Sequence, residues 1–109
     1  MTRSADLLQG TLDLLILKIV DLEPMHGWAI AHRLRQISND VLRVNQGALY
    51  PALHRLEYKG WIRAEWGESE NNRRAKYYSI TKTGKKQLDH EQELWEKLSV
   101  AVGAVLKTV

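Results

Sequence analysis

Asn45-Gln46-Gly47-Ala48-Leu49-Tyr50-Pro51-Ala52-Leu53-His54-Arg55-Leu56-Glu57 sets Leu49, Ala52, Leu53 and Leu56 three or four residues apart, the spacing of a helix with one buried stripe. The helix is expected over about residues 46–59, closed by Gly60 in the usual C-terminal position. Pro51 lies near its first turn, where a missing N–H is most easily tolerated. After Gly60 the period changes from 3.6 to 2. Trp61-Ile62-Arg63-Ala64-Glu65-Trp66 and Ala75-Lys76-Tyr77-Tyr78-Ser79-Ile80 each alternate bulky and polar side chains, and the polar stretch 67–74 between them is rich in turn formers. The pair reads as a two-stranded hairpin with a long tip.

Upstream, residues 27–38 read as a helix with Ile30, Ala31, Leu34 and Ile37 on one stripe, stopped by Ser38-Asn39-Asp40. Val41-Leu42-Arg43-Val44 is compatible with a minimal strand or an extended linker. Residues 8–22 form a further helix, for which Gly10-Thr11 supplies a start, with Asp13 in the first turn and Pro24 as terminator. Its aliphatic residues cover nearly the whole circumference, so it must be buried on more than one side, one toward the core and another toward a partner chain. Downstream, Thr81 or Thr83 caps a last helix running to about Lys107, a rod of roughly 38 Å. Leu88, Leu94, Trp95, Leu98, Val102 and Val105 give it a broad apolar stripe at near-heptad spacing.

The chain of 109 residues has the length of one compact unit. It contains no Cys, which excludes a disulfide scaffold, a thiolate zinc site and a cysteine nucleophile. The longest aliphatic run, Leu14-Leu15-Ile16-Leu17, is far too short to span a bilayer. The first residues have no signal-peptide pattern, so a cytoplasmic protein without a membrane partner is expected. His26, His32, His54 and His90 have no metal-ligand spacing, and His26 reads as a helix-entry residue. No phosphate loop, nucleophile elbow or framed carboxylate pair is present, so neither catalysis nor a cofactor is expected. Charge is unevenly distributed. Residues 26–86 hold 12 Lys/Arg against 5 Asp/Glu, whereas the two ends together are acidic. A basic middle suits a polyanion.

Three helices followed by a hairpin is the order of a winged helix-turn-helix, here mainly α with a β-hairpin. Residues 1–80 would form the DNA-binding part and residues 81–109 a long C-terminal dimerisation helix. In that arrangement the third helix enters the major groove by its N-terminal half and the hairpin tip lies along the adjacent backbone or minor groove. Asn45, Gln46, Gly47, Ala48, Tyr50 and Pro51, with His54 and Arg55 one turn on, are the candidate DNA-facing residues of the helix. Asn45 is equally suited to capping. Asn72, Arg73, Arg74 and Lys76 are the candidates on the hairpin.

Met25-His26-Gly27-Trp28-Ala29-Ile30 resembles the element that opens the second helix of PadR-type transcriptional regulators. Asn45–Glu57 resembles their recognition helix, and Gly60-Trp61-Ile62 with Arg74–Gly84 resembles their wing and its exit. The likeness covers about Leu7 to Leu98; Trp28 stands where the family commonly has Tyr. It implies a dimeric bacterial repressor on a pseudo-palindromic double-stranded operator, released by a small aromatic or hydrophobic effector. The chain has the form of the short subfamily with a single C-terminal helix. By the same resemblance Tyr50 and the start of the third helix touch DNA and the last helix dimerises. Leu8, Leu12, Leu15, Leu94, Trp95, Leu98, Val102 and Val105 are the expected homodimer interface. Leu15, Leu94, Trp95 and Leu98 are the candidate effector contacts, Trp95 serving either as interface packing or as a wall against which a flat ligand stacks. The rival reading is a winged-helix adaptor that docks proteins without binding DNA. The basic hairpin and third helix argue against it.

Overall fold

The aliphatic girdle of the first helix becomes the centre of the fold. A computed structural model describes the backbone of residues 4–109 and the side chains of residues 10–109. The order is α1 (Ser4–Leu22), β1 (Met25–His26), α2 (Gly27–Ile37), α3 (Gln46–Tyr58), β2 (Ile62–Glu68), β3 (Arg74–Ile80) and α4 (Lys82–Leu106). α1 packs against α2, α3, α4 and β3. Ile16 and Leu17 are fully enclosed by Ile30 and Leu34 of α2, Leu49, Leu53 and Leu56 of α3, and Leu88 of α4. No helix among the described residues is long and apolar enough to cross a membrane.

Three expectations for the first helix are corrected. It begins at Ser4, and Gly10 lies inside it. A glycine costs a helix only about 1 kcal/mol relative to alanine, and burial of the following turns outweighs that. Asp13 is therefore well past the first turn, and its carboxylate takes a partner from another helix, the Arg55 guanidinium at 2.8 Å. Leu12, expected between subunits, is a core residue only 5% exposed, on the same stripe as Ile16, Ile19 and Val20. The Leu8 side chain lies outside the described residues.

α2 is entered through His26, whose Nδ1 accepts from the Ala29 N–H at 3.2 Å. Ile37, expected on its buried stripe, is exposed in the last turn. The helix stops where Asn39 (φ 53°) and Asp40 (φ 70°) turn left-handed, a conformation that Asn and Asp tolerate. Residues 41–44 are an extended linker and pair with no strand, the Leu42 N–H bonding back to the Ser38 hydroxyl at 2.9 Å.

The hairpin is a sheet of three strands, ordered β1-β3-β2 and antiparallel throughout. β1, which periodicity over two residues cannot reveal, pairs Met25 with Tyr78 and His26 with Tyr77. The β2–β3 register runs from Ile62–Ile80 to Glu68–Arg74, so the strands reach further and the tip is shorter than the sequence suggests. Gly67 permits this, because the Tyr77 ring lies where a β-carbon on Gly67 would come within 3.0 Å. The Tyr77 hydroxyl then donates to the Glu68 carbonyl at 2.7 Å. At the other end, Thr81 caps α4 by accepting from the Gly84 N–H at 3.0 Å and donates to the Gly60 carbonyl at 2.6 Å. Among the described residues Leu88 is the last buried residue of α4, and the molecule extends 56 × 30 × 20 Å.

Candidate nucleic-acid interface

The buried stripe of α3 leaves a complementary stripe outside. Gln46, Gly47, Tyr50, Pro51 and His54 are all exposed, and their spacing puts them on one face of the helix. Asn45 is the N-cap: its side-chain carbonyl accepts from the Ala48 N–H at 2.9 Å, so this oxygen is committed to the helix end. The other N–H groups at this end give the face a positive dipole terminus. Pro51 is the sixth helical residue, further in than expected. The Gly47 carbonyl, four residues earlier, thus has no intrahelical N–H to accept from. Both residues face outward, where solvent or a ligand supplies the donor.

Tyr50 is 39% exposed. Its ring lies across Gly27 at the start of α2, close enough that a β-carbon there would stand 2.8 Å from the phenolic oxygen. The absence of a side chain at Gly27 is what lets the two helices approach and fixes the tilt of this ring. Arg55 does not join the face. It is turned to α1 and held by Asp13.

The outer ends of β2 and β3 and the wing tip between them form the facing wall. A concavity of about 810 Å³ opens between them and α3, lined by Tyr50 and His54 on one side and by Trp66, Arg73, Arg74 and Lys76 on the other. His26, Gly27 and Trp28 form its end, carried there by the short β1 strand. Trp28 stacks on His32 with ring centroids 4.9 Å apart, and His26 meets Tyr77 edge-on at 5.3 Å. Asn72 is taken up by the turn: it is left-handed (φ 57°) and its N–H donates to the Ser69 carbonyl at 3.0 Å. Asn71 lines the concavity in its place. Lys76 is 3.9 Å from a Glu57 carboxylate oxygen. The wall thus combines cations with aromatic faces, the chemistry of a surface for the phosphate backbone.

Of the residues singled out from sequence, the fold brings Tyr50, His54, Arg73, Arg74 and Lys76 onto one surface. It adds His26, Trp28 and Trp66, which sequence reasoning left out. Trp66 was legible in principle, since period-2 alternation puts it on the same face as Glu68; its cationic neighbours become visible only with the register.

A second concavity, of about 610 Å³, lies between α1 and α4 and is mostly apolar, with Leu14, Leu15, Leu88 and Trp95 in its walls and Leu42 of the linker at its edge. Of the four candidate effector contacts it unites Leu15 and Trp95; Leu94 and Leu98 are exposed on α4 outside its lining.

The sequence pattern of the "Transcriptional regulator PadR-like family" matches residues 16–90. An uncharacterized protein of Lysinibacillus sphaericus is 31% identical over 98 residues, 90% of this chain and 89% of that protein. Among solved structures, a transcriptional regulator from Clostridium thermocellum superposes with a TM-score of 0.85 at 28% identity, covering 94% of this chain and 99% of the other. A PadR-like transcriptional regulator from Bacillus cereus gives 0.82 at 28% identity, covering 95% and 99%. A PadR family regulator from Eggerthella lenta gives 0.80 at 31% identity, covering 95% and 88%.

Proposed function

The chain belongs to the PadR-like family of transcriptional regulators, and from that premise we propose that it is a homodimeric repressor that reads a pseudo-palindromic operator and is released by a small apolar or aromatic effector. The observation that carries the reading is the shared surface of α3 and the wing. Tyr50 and His54 face three cations, Arg73, Arg74 and Lys76, across a concavity, and Gln46, Gly47 and Pro51 continue their exposed face toward the helix N-terminus. In this reading Gln46, Gly47, Tyr50, Pro51 and His54 meet base edges or the sugar–phosphate, Asn45 supports them as the cap, and Arg73, Arg74 and Lys76 take phosphates. Ala48, expected among the contacts, is half-buried and packs against the core instead. Asn72 shapes the tip and Arg55 braces α3 from behind.

The dimer follows from α4. Trp95, Leu98, Val102 and Val105 alternate by three and four residues, the spacing of a coiled-coil seam, and all are exposed in the single chain. Leu94 flanks the seam, and Leu15 stands across the groove from Trp95. A two-fold pair would hold its α3 elements about 34 Å apart to match successive major grooves. An effector in the α1–α4 groove releases DNA only if it binds tighter to a dimer with a different spacing.

The test is fluorescence anisotropy with a labelled duplex from upstream of the protein's own coding sequence. Gln46→Ala and Tyr50→Ala are each expected to weaken binding by about 1–3 kcal/mol, with circular dichroism melts that show both variants folded. Unchanged affinity in both would remove α3 from the interface.

A further inference from the structure

Trp66 is 60% exposed on the wing, and what sets it apart is the pair of cations gathered at its ring. In the β2–β3 register it lies directly opposite Lys76, and Arg74 is its diagonal neighbour, within reach of a long side chain. The Arg74 guanidinium carbon sits 4.6 Å from the centre of the indole, and the Lys76 Nζ is 6.0 Å away. Both are cation–π distances. Carboxylates are near: Glu68 is opposite Arg74 in the register, and Glu70 follows in the loop. Yet among the described residues Arg74 makes no ion pair, whereas Lys76 leans to Glu57.

We propose that Trp66 is a positioning residue for DNA binding: it holds the Arg74 guanidinium over its ring and presents that cation, pre-arranged, to a backbone phosphate in the concavity beside α3. The chemistry favours this particular partner. The five donors of a guanidinium lie in its plane, so a stack on an aromatic face restrains the group and leaves its N–H fork free for a bidentate phosphate contact. A carboxylate would restrain it equally but occupy the fork and cancel the charge. An unstacked arginine would reach the phosphate only after losing the rotamer freedom that the indole has already removed. Trp66 therefore acts through Arg74, and the proposal rests on the reading of the wing as a phosphate-contacting element.

The experiment is a double-mutant cycle in the full chain, with affinity for the same duplex measured at several salt concentrations for wild type, Trp66→Ala, Trp66→Phe, Arg74→Ala and the double variant Trp66→Ala with Arg74→Ala. The expected result is a loss of about two- to fivefold per engaged wing for Trp66→Ala, with recovery in Trp66→Phe. The salt slope should become shallower toward that of Arg74→Ala. With Arg74 already replaced, Trp66→Ala should cost less than about twofold, since nothing remains to be positioned. An equal loss with and without Arg74 would overturn the proposal, because Trp66 would then act independently. So would unchanged affinity in Trp66→Ala alongside weakened binding in Arg74→Ala. If Arg74→Ala itself leaves affinity and salt slope unchanged, the phosphate-contact reading fails first and takes the proposal with it.

Discussion

Tyr78 shows how one residue ties the wing to the body. It is buried at the base of β3, and burial first, then the nearby Glu57 carboxylate and Tyr50, raise its pKa above the ordinary 10.0. The unfolded chain ionises this phenol near pH 10 and the folded chain only at higher pH. Stability is thus undiminished below pH 10 and falls as pH rises from there toward the folded pKa. Lys85 at the start of α4 changes in the same direction, its pKa raised chiefly by the hydrogen bond to Asp21. It is an exposed side chain and contributes little. The melting temperature is expected to be level from pH 7 to 9 and to drop above 10, with a smaller drop in Tyr78→Phe. An identical alkaline drop in that variant would locate the effect elsewhere. Arg55 marks the limit of sequence at this scale. Helix geometry turns it about 140° from Tyr50, but its partner Asp13 is 42 residues away in the chain, and no local pattern links the two.

At the scale of elements, the helices were legible because their signals are local. The stripe of Leu49, Ala52, Leu53 and Leu56 is buried as its spacing requires, and Thr81 caps α4. What local pattern left out or left open falls where a neighbour decides. β1 exists only because β3 offers it hydrogen bonds, the hairpin tip is set by Tyr77 against Gly67, and the 41–44 segment stays a linker because no strand lies beside it. The outer part of α4 leaves Leu98, Val102 and Val105 exposed in the single chain. Its apolar seam is expected to pair with a second copy, so Val102→Lys should weaken the dimer by about 2–4 kcal/mol, two side chains losing their burial. Sedimentation velocity across a concentration series reads this directly. A wild-type chain that sediments as a monomer at all concentrations would refute the pairing, and a dimer indifferent to the substitution would place its seam elsewhere.

For the whole molecule the relevant quantity is where charge gathers. The positive surplus of residues 26–86 includes Arg73, Arg74 and Lys76 along one wall of the concavity. A dimer presenting these cations to phosphates is expected to show a log K against log salt slope of about −5, near −0.9 per neutralised phosphate. A slope near zero, measured by anisotropy from 50 to 300 mM salt, would exclude a phosphate-led interface. The amino-acid sequence alone determined the helix order, the wing, the recognition-type helix and the family likeness, because periodicity, capping and turn chemistry act over a few residues. Tertiary structure alone decided that Leu12 belongs to the core, that Arg55 pairs inward, that a third strand brings His26 and Trp28 to the concavity, and that Arg74 rests on Trp66. Each of these depends on which distant segments become neighbours, a matter settled by packing and strand register.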